Sequence, residues 1–367
     1  MPTPHRALFA VVLAAGEGSR MRSERPKPLH RLCGRPMLSY VLDALVSAEP
    51  LRVVVVIGHK GDWVTKAMQE ETAAFPLDFV EQRVQRGTGD ATEIGLVGLP
   101  DDDEVDAHDV VVLAGDTPLL RPETLSSLVQ HHRDTDAAAT LLTAVPEDPT
   151  GYGRVVRGRD DMVDRVIDAG EVPVDGTDLD EVNAGVYCFR RSVLAPALRR
   201  LEPDNAQGEF FLADVIGVLS EAGYPVRTLR AHDPQEAAGV NDRVQLAVAE
   251  AELRRRTNET LLASGVTMVD PSRTYVDATV RVGRDVTLFP GVILQGATEV
   301  GDGCELGANV RLIDTVVGPG CVLTEVSGRR AHVGEGATVG PYASLEPGSS
   351  VPAQCVTGPF YTAEADD

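Results

Sequence analysis

The stretch VVLAAGEGSRMRSERPKPLH (11–30) runs an apolar segment to Ala15, breaks it with Gly16 and Gly18, and then gathers Arg20, Arg22, Arg25 and Lys27. An aliphatic run that stops at a glycine turn predicts a buried strand feeding an irregular loop. The pattern recurs. RVVVVIGH, LDFVEQ, DVVVLAGD and AAATLLTAV are short aliphatic runs ending at turn residues, with amphipathic stretches such as MLSYVLDALVSA and RPETLSSLVQHHRD between them. This alternation predicts an α/β domain up to about residue 230, a mostly parallel sheet with helices on both faces. Ligands of such sheets bind at the carboxyl ends of the strands, where the first glycine turn falls.

The cationic loop stands out against the rest of the chain. Of 367 residues, 56 are Asp or Glu and 34 Lys or Arg, a formal net charge of -22. So acidic a chain excludes wholesale nucleic-acid binding or adsorption to an anionic membrane. The run DDDEVD (101–106) reads as a solvated loop. An apolar share of 43% supports a sizeable core, in two domains or one large one. Five cysteines without a CxxC pair read as reduced thiols of a cytoplasmic protein. The run LFAVVLAA leads into the glycine turn and arginines, so it reads as a strand and not a signal core. No segment is long and apolar enough to span a bilayer. Lysine occurs only at Lys27, Lys60 and Lys66, which gives a lysine framed by prolines unusual weight.

From Val276 the text changes. Aliphatics fall every six residues at Val276, Val282, Leu288, Leu294, Val300, Leu306 and Leu312, with a small or β-branched series at Val280, Val286, Val292, Thr298, Cys304, Val310 and Val316. The phase slips by one to Val317 and Leu323, then resumes at Val333, Val339, Leu345 and Val351. A period of six with glycine, proline, Asp and Asn at the corners is the signature of a parallel β-helix of hexapeptide repeats. NDRVQLAVAEAELRRRTNETLLASG (241–265) reads as a helix joining residues 1–240 to residues 266–367.

Strand, glycine turn and Arg20 place backbone N–H groups and a guanidinium around a phosphate chain, although GEGSR alone equally fits a plain strand-helix connector. The GxxxxGK[ST] spacing is absent, which disfavours a P-loop ATPase. Pro26 and Pro28 stiffen the backbone around Lys27 and hold its ammonium in place. In QRVQRGTGDA, Gln82 offers a paired donor and acceptor for a base edge, while Gly87 and Thr88 allow close backbone approach. Asp116 follows a fully buried strand, a position suited to a metal or ligand or to capping the next turn. Gly153, Asn183 and Asn241 lie at strand ends, where Asn grips sugar hydroxyls or simply forms a turn. His131 and His132 read as a solvated helix face, and Cys304 and Cys321 as core positions of the repeats.

Together LAAGEGSRM, RPKPLH, QRVQRGTGDA, LAGDTPLL, DPTGYGR, EVNAGVY, NAQGEFFLAD and GVNDRVQL resemble the bacterial bifunctional N-acetylglucosamine-1-phosphate uridylyltransferase/glucosamine-1-phosphate acetyltransferase family, within the sugar-phosphate nucleotidyltransferase superfamily. The resemblance covers roughly residues 7 to 350. It implies a Rossmann-like nucleotidyltransferase domain followed by a left-handed parallel β-helix. It implies that Leu13, Ala14, Ala15, Gly16 and Gly115 line the uridine and phosphate site and that Gln82, Gly87 and Thr88 hold uracil. Arg20 and Lys27 would neutralise the triphosphate, Asp116 and Asn241 would hold Mg²⁺, and Gly153, Asp168, Asn183 and Asn241 would contact the sugar. The partners implied are UTP and a sugar 1-phosphate, and a homo-oligomer, with a trimer favoured.

Two departures qualify it. The family shows a Glu-x-Lys-Asp-Ala segment after GYG, where this chain has VIDAGEV (166–172), with Asp168 at the place of the glutamate and no lysine. Shortening the carboxylate by a methylene moves its reach by roughly 1.5 Å, which opens the choice of sugar. In TVGPYASLEPG, Glu346 occupies the place of a family arginine, and no Lys, Arg or His follows it. The acetyltransferase is therefore expected to be absent. The leading expectation is Mg²⁺-dependent uridylyl transfer to N-acetylglucosamine 1-phosphate. The alternative is a specialised nucleotidyltransferase for another sugar or cyclitol phosphate, with UTP or a different nucleoside triphosphate, in a secondary pathway. Intact Arg20, Lys27, Asp116 and Asn241 argue against a non-catalytic binding subunit.

Overall fold

The computed structural model describes residues 6–71, 75–100, 108–158, 162–172 and 179–365. The acidic run 101–106 lies outside them. The chain divides into two compact units, with the boundary between Leu246 and Ala247 and the short segment Arg31–Arg35 belonging to the second.

The first unit is built on a nine-stranded sheet. Its strands are β1 (Ala7–Ala14), β2 (Arg52–Ile57), β3 (Leu77–Glu81), β4 (His108–Ala114), β5 (Ala139–Ala144), β6 (Arg154–Arg157), β7 (Val163–Ile167), β8 (Val182–Arg190) and β9 (Val226–Arg230). The order is β9-β5-β8-β4-β1-β2-β3, with β6 pairing with β8 and β7. β1 runs parallel to both β2 and β4, and β8 runs antiparallel between β4 and β5. Val53–Val56 and Val110–Leu113 are wholly buried, as a strand covered on both faces requires.

Alternate residues of β1 feed two cores. Leu8, Ala10, Val12 and Ala14 pack with Leu38, Val41 and Leu45 of α1 (Met37–Leu45) and Leu125 and Leu128 of α4 (Pro122–Asp134). Phe9 and Val11 face the other way, toward α3 (Thr88–Val97), α5 (Arg191–Leu198) and α6 (Asp214–Glu221). α2 (Gly61–Glu70) lies between β2 and β3 in the chain and packs Val64 and Met68 into the first core. β1 is followed by β2 and β3 on one side, and the chain then crosses to β4 on the other. The switch point thus falls at the carboxyl ends of β1 and β4.

One expectation for this unit fails. His132 is fully buried, its Nδ1 3.0 Å from Thr140 Oγ1 and its Nε2 3.6 Å from Asp109 Oδ1. It faces the sheet because α4 turns it inward beside Leu128 and Val129, while His131 stays partly exposed. Burial alone would raise the carboxyl of Asp109; the His132 ring beside it and the hydrogen bond that Arg133 Nε donates to Asp109 Oδ2 at 2.9 Å outweigh burial and hold the group below its ordinary value.

α7 (Arg243–Ala263) carries the unit boundary within it. In the second unit short strands stack into three parallel sheets of five, six and five strands, which makes a β-helix. Val276 pairs with Leu294 and Leu288 with Leu306, so each coil takes three hexapeptides. The inward residues come in pairs two apart, such as Val286 with Leu288 and Val310 with Leu312. The next pair is Thr315 and Val317, both buried, and Val316 is 41% exposed. Val316 therefore does not belong to the inner series. The one-residue slip occurs before Thr315, not after Val316. Cys304 and Cys321 are buried in this core, and the five cysteines are free thiols.

Candidate functional site

The switch point opens into a cavity of about 330 Å³. Of the residues singled out in the sequence, Leu13, Ala14, Ala15, Gly16, Lys27, Gln82, Gly87, Thr88, Gly115 and Asp116 line it. Gly115 is fixed by its N–H donating to Leu13 O at 2.8 Å, which ties the end of β4 to the end of β1. Asp116 follows directly.

Lys27 opens a 3₁₀ turn over Lys27–Leu29 that begins after Pro26. Gly18, with φ 64°, lets the preceding loop close onto it: a Cβ there would lie 2.7 Å from Lys27 Cβ. Lys27 Nζ donates to Asp116 Oδ2 and, at 2.9 Å, to Asn241 Oδ1. Arg20 Nη2 donates to the same Asn241 oxygen at 3.1 Å. Asn241 is placed by its own N–H bonding to Gln245 Oε1 and by Val240 N–H donating to Asp116 O. Four residues from three distant stretches thus form one cluster. Asp116 meets Lys27 there.

His30 sits behind this loop, buried, with Nδ1 3.4 Å from Arg243 Nη1. Burial, then Arg243 and Arg25, pushes its pKa down, so the ring is neutral at pH 7.

The GTGDA loop is pinned from outside. Gly89 N–H donates to Phe210 O, Phe210 N–H to Arg86 O, and Leu212 N–H to Thr88 Oγ1 at 2.9 Å. Gln82 differs from the sequence reading. Its Nε2 donates to Asp90 Oδ2 at 2.7 Å and to Gly87 O at 3.3 Å, so its donor is spent inside the protein and only its acceptor is left for a ligand.

Gly153, just before β6, Asp168, just after β7, and Asn183, on β8, form a second group and are not among the described residues that line the cavity. Asn183 N–H donates to Gly153 O at 2.9 Å, and a Cβ on Gly153 would lie 3.1 Å from Ile167 O, next to Asp168. Asn183 Nδ2 donates to Tyr187 Oη at 2.6 Å, within an irregularity where β8 loses register with β5. Near Asp168 lies Asp214, on the first turn of α6. Burial, with Glu171 and Asp168 nearby, pushes it up to about 6.

Sequence reasoning missed Gln85, whose Nε2 donates to Ala15 O, and Glu17 and Glu209, which also line the cavity. All three lay inside quoted motifs, but nothing in the sequence says which way a loop residue faces. Among the described residues no group of three or more His, Cys, Asp or Glu side chains is arranged to hold a metal ion, and no helix is long and apolar enough to cross a membrane.

Comparison with known proteins adds two findings. Residues 10–218 match the MobA-like NTP transferase domain family. Over 354 residues the chain is 41% identical to the bifunctional protein GlmU of Corynebacterium efficiens, covering 95% of this chain and 72% of that protein. Against the bifunctional protein GlmU of Mycobacterium sp. strain KMS and of Mycobacterium tuberculosis strain H37Ra, identity is 43% and 42% over 352 residues, 95% of this chain and 70% of each relative.

Proposed function

The chain belongs to the family of the bifunctional protein GlmU and is a sugar-phosphate nucleotidyltransferase, and from that premise we propose that it transfers the uridylyl group of UTP to a sugar 1-phosphate, with N-acetylglucosamine 1-phosphate as the default acceptor. The observation that carries this reading is the cluster of Arg20, Lys27, Asp116 and Asn241, of which Lys27 and Asp116 line the cavity and Arg20 and Asn241 join them by hydrogen bonds. A phosphate oxygen of the sugar phosphate attacks the α-phosphorus of UTP in line. A new P–O bond forms, the α–β bridge breaks, and its electron pair leaves on pyrophosphate. No covalent enzyme intermediate is needed, so positioning and charge neutralisation supply the rate.

Leu13, Ala14, Ala15, Gly16 and Gly115 line the nucleotide, and Gln82, Gly87 and Thr88 face the base. Arg20 and Lys27 balance the triphosphate charge. Gly153, Asp168, Asn183 and Asn241 form the acceptor side. The site fits Mg²⁺: Asp116 Oδ2 and Asn241 Oδ1 already converge on one cation, the Lys27 ammonium. One carboxylate and one amide oxygen, with water and phosphate completing the shell, suit that ion. Bound by Asp116 and Asn241, Mg²⁺ supplies further neutralisation of phosphate charge.

The same proposal includes a cytoplasmic, trimeric protein and no acetyl transfer by residues 266–367. Glu346, exposed on the β-helix, puts an anion where the family resemblance leads to a phosphate-binding arginine. A second reading, an acceptor other than N-acetylglucosamine 1-phosphate, is favoured by the carboxylates Asp168, Glu171 and Asp214 gathered on the acceptor side. Pyrophosphate release with a panel of nucleoside triphosphates and sugar or cyclitol phosphates tests both. Fastest release with UTP and N-acetylglucosamine 1-phosphate supports the first reading, and release only with another acceptor selects the second. No release with any pair refutes both, and acetylation of glucosamine 1-phosphate from acetyl-CoA refutes the loss of that activity.

A further inference from the structure

Gln82 lines the cavity, yet its amide is not free to turn. Nε2 donates to Asp90 Oδ2 and to Gly87 O, a carboxylate and a backbone carbonyl. Rotating the amide by half a turn would set Gln82 Oε1 against two acceptor oxygens in a place where Gln82 is 4% and Asp90 6% exposed. Asp90 is itself held on the first turn of α3 by Arg86, whose Nη2 donates to Asp90 Oδ1. Among the described residues no donor reaches Gln82 Oε1. What Gln82 presents to a ligand is therefore an acceptor alone.

We propose that Asp90 is a positioning residue that locks Gln82 as a hydrogen-bond acceptor toward the nucleobase, so that the site selects a base with a ring N–H at that edge. The inference rests on the nucleotide-site reading above and deepens it. Uracil carries a hydrogen on N3, where cytosine carries a lone pair. A cytosine in the same pose faces acceptor to acceptor, and the locked amide cannot turn to relieve it. Discrimination through an unpaired buried polar group exceeds what a shape difference of this size supplies.

Titration calorimetry of the full chain with UTP and with CTP, each with Mg²⁺, tests this without depending on turnover. The variants are Asp90→Asn and Arg86→Gln. The new side chain in Asp90→Asn can donate to Gln82 Oε1, which frees the amide to turn its N–H toward the base. Wild type is expected to bind UTP at least about a hundredfold more tightly than CTP. In Asp90→Asn, UTP binding should weaken about tenfold while CTP binding holds or tightens. Arg86→Gln, at an exposed position, should shift the ratio the same way by less, and carries the test if Asp90→Asn does not fold. A purely structural role would weaken both nucleotides alike. An unchanged UTP-to-CTP ratio, or equal weakening of both, overturns the proposal. Wild-type binding of both nucleotides without preference overturns it and leaves the nucleotide site standing, whereas no binding of either overturns the site reading as well.

Discussion

Lys27 donates to Asp116 and Asn241 at once, and its side chain is only 12% exposed. Replacing Asp116 by Asn keeps the size and removes the charge. The expected result is a rate that responds little to added Mg²⁺, measured as pyrophosphate release across a magnesium series; ordinary magnesium activation would make Asp116 a structural partner of Lys27 only. Asp214 offers a second test. Its folded-state pKa of about 6 lies above the usual carboxylate value, so the native state holds the proton more tightly than the unfolded chain. Stability from this group is present at low pH and is lost as pH rises toward 6 and beyond. Asp214→Asn should match wild type in melting temperature near pH 4 and exceed it increasingly from pH 5 to 7. A constant difference across that range would contradict the assignment. Lys27 was legible in the sequence because prolines frame it and lysine is scarce. The locked amide of Gln82 was not, because side-chain orientation depends on Asp90, eight residues on and on the next element.

α3 lies close on β1 and β2 because Gly95 has no side chain. A Cβ there would come within 2.4 Å of Val11 Cγ1 and 3.0 Å of Val56 Cγ2, both in the core. Gly95→Ala should therefore destabilise the fold by about 1–3 kcal/mol despite the better helix propensity of alanine, seen as a lower midpoint in urea. An unchanged or higher midpoint would show that the helix-sheet contact has slack. The strands were legible because runs such as VVVV and DVVVL are buried on both faces, which leaves no helical period to compete. Which of His131 and His132 points inward was not. Adjacent helix positions differ by about 100°, and only the packing of Leu128 and Val129 fixes the phase. In the β-helix the six-residue period located nearly every inward residue. It misplaced Val316 because a one-residue slip leaves two neighbouring β-branched residues to choose between.

The second unit bears directly on assembly. Its outer surface carries Val316, Val322, Tyr342, Val356 and Phe360 exposed, with the Tyr342 and Phe360 rings stacked 5.3 Å apart. Exposed apolar groups of this kind support a face covered by another copy. Light scattering at micromolar concentration should give a trimer, and deletion of residues 266–367 should dissociate it; a monomeric full chain would contradict the proposed assembly. The family was legible at this scale because its motifs recur in order along most of the chain, whereas an interface with no periodic signature was not. The measurement closest to the central claim is pyrophosphate release from UTP and N-acetylglucosamine 1-phosphate by wild type and by Lys27→Ala, with folding checked by melting temperature. Rapid release is expected from wild type, and a loss of roughly a hundredfold or more in kcat, about 3 kcal/mol, from a folded variant. Near wild-type turnover in folded Lys27→Ala would contradict it.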